Sequence, residues 1–243
     1  MKHSIRGSCC KSYLPFFLFS CLIFSLPAIV FADTDTIIAF GDSLTEGCDV
    51  YAGECGWERS GTHGYEIELE ILLKKSFRNY EIHNFGRGGE TAQDGMVRID
   101  SVMRELCNAG AEYILLLEGT NDLLHGARGT DVKYYLDVMI DKSRDHGLVP
   151  LIATIPPDPE HAYKDIPLMN SYIRDLASEK NVPLVELYNE MYPMWNSYTP
   201  GCYGDRTHPN SAGFQTMGEI WFESLSGLIQ PKPPLTWLEL LLK

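Results

Sequence analysis

The chain alternates short, uninterrupted apolar runs with longer segments whose apolar residues recur every three or four positions. Thr36–Phe40, Tyr80–Asn84, Tyr113–Leu117, Val149–Ile155 and Pro183–Leu187 are the apolar runs, each of strand length. Tyr65–Phe77, Gly95–Asn108, Asp131–His146, Met169–Lys180 and Ser211–Leu228 carry the helical spacing; in the first of these, Ile67, Ile71 and Leu72 are separated by Glu and Lys. Tyr113-Ile114-Leu115-Leu116-Leu117 has no polar interruption, which predicts a central strand covered on both faces. Five strands alternating with helices predict an α/β fold: a three-layer α/β/α domain around a five-stranded parallel sheet. In such sheets ligands sit at the carboxyl ends of the strands, so the residues just after each strand carry the functional reading.

The first 32 residues stand outside this alternation. Lys2, Arg6 and Lys11 form a positive leader, Tyr13–Phe31 is almost wholly apolar, and Val30-Phe31-Ala32 precedes the polar Asp33-Thr34-Asp35. This is the pattern of a secretory signal peptide cut after Ala32. Pro15, Pro27 and the Ala-Asp junction argue against an uncleaved transmembrane anchor, and the apolar residues after Cys21 argue against a lipoprotein. The organisation expected is a signal peptide over 1–32, a single folded domain over 33–230, and a Pro-rich apolar tail over 231–243. The tail packs back on the domain or makes a weak contact with a membrane or lipid.

Composition narrows the partners. The chain has 20 basic and 33 acidic side chains, and the leader takes three basic ones with it, moving the net charge from −13 to −16. Such a surface repels nucleic acid, and no basic stripe offsets it. Of seven cysteines, Cys48, Cys55, Cys107 and Cys202 remain after the leader, an even number in an oxidising compartment with three possible pairings. Cys48 and Cys55 flank a Gly-rich stretch and are expected to close a small loop. No Cys-x-x-Cys or His-Glu-x-x-His occurs, so no metal and no cofactor are expected.

The segments after the strands carry the chemistry. Gly41-Asp42-Ser43-Leu44 puts a hydroxyl where a helix or loop begins, among backbone N–H groups able to hold an oxyanion. Asn84-Phe85-Gly86-Arg87-Gly88-Gly89-Glu90-Thr91 brings three glycines into four positions, as a backbone needs when something must come close. Glu118-Gly119-Thr120-Asn121-Asp122 offers an amide that donates without surrendering a proton. Asp205-Arg206-Thr207-His208 spaces a carboxylate and an imidazole so that one can orient the other. Asp122/His125 and Asp158/His161 repeat that spacing; only the last copy lies beyond the fifth strand and just before the final helix.

Taken in order, these four blocks resemble the SGNH (GDSL) hydrolase family, over nearly all of residues 36–228. The likeness implies a flavodoxin-like arrangement and a carboxylic ester hydrolase of the lysophospholipase, thioesterase or arylesterase kind. By that likeness Ser43 is the nucleophile, His208 its general base and Asp205 the residue that orients the imidazole. The Ser43 and Gly89 backbone N–H groups and the Asn121 side chain then form the oxyanion hole. A serine hydroxyl needs such a base at neutral pH. No Gly-x-Ser-x-Gly occurs, which excludes the nucleophile elbow of the α/β-hydrolase fold.

The chain departs from compact members of the family between Glu46 and Gly64. That segment starts just after Ser43 and is expected to rim the site, with Tyr51 and Trp57 placed to line an acyl or aryl pocket or to sit in a disulfide-tied surface loop. The substrate expected is a small-molecule ester. The rival expectations are a carbohydrate O-deacetylase and a non-catalytic binding module on the same fold.

Overall fold

The computed structural model describes residues 34–47, 64–77, 79–106, 110–158, 165–196 and 207–229. All of them belong to one compact unit spanning Ala32–Pro233. Five strands, β1 (Asp35–Gly41), β2 (Tyr80–Gly86), β3 (Ala111–Leu117), β4 (Val149–Ala153) and β5 (Leu184–Val185), form one sheet in the order β2-β1-β3-β4-β5. Every neighbouring pair is parallel. This is the expected α/β/α architecture, in a flavodoxin-like strand order whose direction of winding reverses between β1 and β3.

Alternation along the strands feeds two cores. Ile38 and Phe40 of β1 and Ile114 and Leu116 of β3 face one layer. It contains α3 (Ala92–Leu106), α5 (Gly129–Asp145) and α6 (Ile166–Lys180). Ile37, Ala39, Leu115 and Leu117 face the other, with α2 (Tyr65–Ser76), α7 (Leu187–Asn196) and α8 (Ser211–Ser226). Trp221 of α8 and Tyr65 of α2 stack in that second layer, ring centroids 5.6 Å apart and both fully buried. β3 is the middle strand, and its last four residues are buried, as its unbroken apolar run predicts.

Element ends moved for identifiable reasons. α3 starts at Ala92 rather than Gly95, because the Asp122 carboxylate accepts the Ala92 N–H at 2.7 Å across 30 residues and caps the helix. α6 starts at Ile166 because Asp165 caps it through Leu168 N–H. β5 is confined to Leu184–Val185, since Leu187 already opens α7, a helix the apolar pattern did not separate from the strand. Two short helices, α1 (Ser43–Glu46) and α4 (Thr120–Leu124), stand where the sequence signals a turn. Residues 48–63, 107–109, 197–206 and 230–243 lie outside the described residues, and with them the expected Glu46–Gly64 rim between Gly47 and Gly64, Asp205, all four cysteines retained after the leader, and the tail. The leader lies outside them too.

Candidate active site

The site is assembled where β1, β2 and β3 end. β1 leads through Asp42 directly into α1, so Ser43 is the first helical residue and Asp42, not the serine, is the cap. The Asp42 carboxylate accepts the Leu44 N–H at 2.8 Å, and the Glu46 N–H closes onto the Asp42 carbonyl at 2.9 Å. This fixes Ser43, itself half-buried, on a tight turn. The first backbone N–H groups of a helix have no partner within the helix, and Ser43 carries the first of them in α1.

His208 comes from the opposite end of the chain. It precedes α8, whose first turn is capped by Asn210 through the Ala212 and Gly213 N–H groups. This placement brings the His208 Nε2 to 2.9 Å from the Ser43 Oγ across 165 residues, a distance for direct proton transfer. Next to the histidine, the Thr207 hydroxyl donates to the buried Asp158 carboxylate at 3.3 Å. Thus the Asp158 region, whose Asp-x-x-His spacing duplicates that of Asp205 and His208, packs against the histidine loop. Asp205 itself is outside the described residues.

The glycine run after β2 forms the adjoining wall. A side chain at Gly86 would stand 1.9 Å from the Glu46 backbone nitrogen, so only glycine lets this strand end lie against α1. Asn84 locks the contact: its amide donates to the Thr45 carbonyl at 2.6 Å and to Glu66 of α2 at 2.7 Å, while its oxygen accepts the Gly86 N–H at 2.8 Å. The Arg87 N–H then reaches the Gly41 carbonyl at 2.9 Å, and the Glu90 N–H returns to the Arg87 carbonyl at 3.1 Å. The resulting turn holds Gly89 at φ +77°, a conformation suited to glycine, with nothing within 4 Å of where a side chain would begin.

Asn121 stands in the first turn of α4 and reaches back between these two segments. Its amide nitrogen donates to the Glu90 carbonyl at 2.8 Å and approaches the Asp42 carboxylate at 3.4 Å. One N–H is therefore committed to the glycine turn, and the other faces a long contact that a stronger acceptor can replace. Ser43, His208, Gly89 and Asn121 thus meet at one end of the sheet.

Behind them lies a set of buried charges with no obvious signature in the sequence. Asp42 is fully buried, and loss of water pushes its carboxyl up to about 7. Glu118, the residue after β3, is buried with neither carboxylate oxygen hydrogen-bonded. Burial, reinforced by the nearby Asp42, Glu90 and Asp122, holds it well above the usual carboxylate range. Burial likewise raises Asp122. Glu90, whose side chain is 0% exposed, is the member with a cation: the Arg98 Nε donates to it at 2.7 and 3.0 Å and Nη2 at 2.7 Å. Arg98 also donates to the Phe85 carbonyl at 2.9 Å and lies 4.1 Å over the Phe40 ring. Under α1, burial raises Glu66 to about 7 against the opposing effect of the Asn84 amide. Glu90 and Arg98 sit eight residues apart on a turn and a helix, and the residue after an apolar strand is an available signal for Glu118; neither pattern is distinctive enough to read forward. No group of three or more metal-ligating side chains occurs among the described residues. No described helix is long and apolar enough to cross a membrane.

Comparison with known proteins bears on the fold and the family. No curated protein matches the chain by sequence. Among solved structures, the lipase/acylhydrolase from Enterococcus faecalis superimposes with a TM-score of 0.66 at 18% identity, covering 83% of this chain and 100% of that one. The psychrotrophic esterase EstA from Pseudoalteromonas sp. gives 0.64 at 18% identity, covering 79% and 97%. A catalytic mutant of Axe2, an acetylxylan esterase from Geobacillus stearothermophilus, gives 0.65 at 16% identity, covering 78% and 93%. At these identities the likeness is one of fold. The GDSL-like Lipase/Acylhydrolase family profile matches residues 39–216, from the last residues of β1 through the histidine and into α8. The chain belongs to that family and is a carboxylic ester hydrolase.

Proposed function

We propose that the protein is an exported serine esterase, freed of its leader after Ala32, that cleaves carboxylic esters through an acyl-enzyme on Ser43. The observation that carries this reading is the 2.9 Å contact between the Ser43 Oγ and the His208 Nε2 beside the glycine turn. In the first half-reaction the serine oxygen attacks the ester carbonyl carbon while its proton passes to His208. The carbonyl oxygen becomes an oxyanion, held by the Ser43 and Gly89 N–H groups and the Asn121 amide. Collapse breaks the carbon–oxygen bond to the alcohol, which leaves with the proton from His208. Water then adds to the acyl-serine with His208 as base, and collapse releases the acid and restores the serine hydroxyl. Asp205 orients the imidazole, in the role its spacing suggests.

The solved neighbours support the chemistry, since they include a lipase/acylhydrolase, an esterase and an acetylxylan esterase. The test is hydrolysis of p-nitrophenyl esters from acetyl to palmitoyl by the mature protein and its Ser43→Ala variant. Turnover by the wild type and none by a folded variant is the expected result. Equal turnover by both would remove Ser43 from the reaction.

A further inference from the structure

Glu118 is the first residue past β3 and is 1% exposed, with neither carboxylate oxygen hydrogen-bonded among the described residues. Three other buried carboxyl groups act on it, each on a different element and each holding a part of the site. Asp42, just past β1, caps α1 through the Leu44 N–H and approaches the Asn121 amide at 3.4 Å. Glu90 belongs to the glycine turn, and its carbonyl accepts the Asn121 amide at 2.8 Å. Asp122, on α4, caps α3 through the Ala92 N–H at 2.7 Å. Gly95 of α3 makes room for this packing. A side chain there would begin 3.0 Å from the Glu118 Oε1 and 3.1 Å from the Glu90 Oε1, so the two carboxyl groups close on the same gap. Arg98 is the cation that acts on Glu118, and its guanidinium is already committed to Glu90 and to the Phe85 carbonyl.

We infer that Glu118 is a positioning residue of the esterase: with its proton it lets Asp42, Glu90 and Asp122 pack around it, and without its proton it displaces the segments that carry Ser43, Gly89 and Asn121. The inference rests on the serine esterase reading given above. An ionised carboxylate at this depth is cut off from solvent, accepts no hydrogen bond and faces three groups of its own sign. Burial first, and then those neighbours, hold Glu118 well above the usual carboxylate range, so the neutral acid is the form that the packing favours. Glu118 makes no hydrogen bond to Ser43 or His208 and acts through the three carboxyl groups beside it. Those groups set the serine turn and aim the Asn121 amide, so loss of the Glu118 proton lowers kcat more than it changes KM.

The experiment records kcat and KM for p-nitrophenyl acetate from about pH 6 to about pH 10, a range beyond the ordinary carboxylate pKa. The uncatalysed rate is subtracted, and the mature wild type is compared with Glu118→Gln and Glu118→Met. Both substitutions keep the length of the side chain and stay uncharged at every pH. Wild type is expected to lose kcat in an alkaline step, with KM changing less. Both variants are expected to lack that step, so the fraction of its neutral-pH kcat that each retains at the alkaline end exceeds the wild-type fraction about fivefold or more. Asp42, raised to about 7 by burial, contributes a step of its own that all three proteins share. Circular dichroism at each pH separates loss of kcat from unfolding. Infrared spectroscopy at neutral pH reads the proton itself, as a carbonyl band of a protonated carboxyl group present in wild type and missing from Glu118→Met. Where one variant fails to fold, the other decides. The inference is overturned by alkaline limbs that superimpose, by a wild type with no alkaline loss or with a loss that coincides with unfolding, or by an infrared band unchanged on substitution. Failure of both neutral variants to fold at neutral pH overturns it as well, because the position would then need a charge. Failure of the underlying esterase reading looks different, with no wild-type hydrolysis at any pH or with hydrolysis that survives Ser43→Ala.

Discussion

Replacing Arg98 with Met tests how the glycine turn is held. In the native protein the guanidinium makes three N–H contacts of 2.7–3.0 Å to the fully buried Glu90, donates to the Phe85 carbonyl and covers the Phe40 ring. Methionine keeps much of the volume but leaves the Glu90 carboxylate buried without a cation, beside Glu118, whose oxygens already lack partners. Breaking one partner of a buried pair costs about 3–5 kcal/mol. The lost stacking on Phe40 adds about 1 kcal/mol. Against a total stability of about 5–15 kcal/mol this is a large fraction, and it lowers Tm by on the order of 10 °C. The same carboxylate sits on the residue whose carbonyl takes the Asn121 amide, so kcat falls as well. Urea denaturation and steady-state hydrolysis of p-nitrophenyl acetate measure the two effects. The control is Glu90→Gln with Arg98→Met, which removes the buried charge and recovers most of the lost stability, by a positive coupling in the double-mutant cycle. A loss under about 1 kcal/mol for Arg98→Met, or no recovery in the double variant, would refute the reasoning.

Two further predictions follow from the site. Asn121→Ala removes the amide proposed to hold the oxyanion, which also ties α4 to the Glu90 carbonyl; kcat should fall about a hundredfold or more with KM little changed. A rise in KM with kcat intact would mean that the amide binds the ground state only. Burial raises Glu66 from the ordinary glutamate value of 4.5 to about 7, so the folded state holds the proton more tightly than the unfolded one. Its contribution to stability is full below about pH 4.5 and is lost as pH climbs to about 7. Glu66→Gln keeps an acceptor for the Asn84 amide but cannot ionise, so its stability measured in urea should fall less steeply over that interval than the wild type's. Parallel curves would show that Glu66 does not titrate in this window. Asp42, raised to about 7 in the same direction, accounts for part of the slope that remains in the variant.

What could be read from the chain and what could not divide along a physical line. The sheet was legible because all its strands are parallel, and Tyr113–Leu117 had to be apolar at every position to be buried on both faces. The ends of elements were not, because they depend on side chains distant in sequence. Asp122 capping Ala92 extends α3 by a turn, and only the folded chain brings those residues together. Ser43, Gly89, Asn121 and His208 were legible because each follows a strand or opens a helix with a local motif. The buried Glu118, the Glu90–Arg98 pair and the Asn84 link between α1 and α2 escaped, since each is defined by burial and by partners on other elements. The Asp158 spacing, discounted in the sequence on position, proved to lie beside the histidine loop through Thr207.

Labelling by an alkyl fluorophosphonate tests the central claim most directly, because the reagent forms a stable phosphonyl ester only with an activated serine. The mature protein is treated, digested and examined by mass spectrometry alongside Ser43→Ala and His208→Ala. The account predicts one adduct on Ser43, in step with loss of ester hydrolysis, no adduct in Ser43→Ala and greatly slowed labelling in His208→Ala. An adduct on another residue, or full hydrolytic activity after Ser43 is quantitatively labelled, would contradict it.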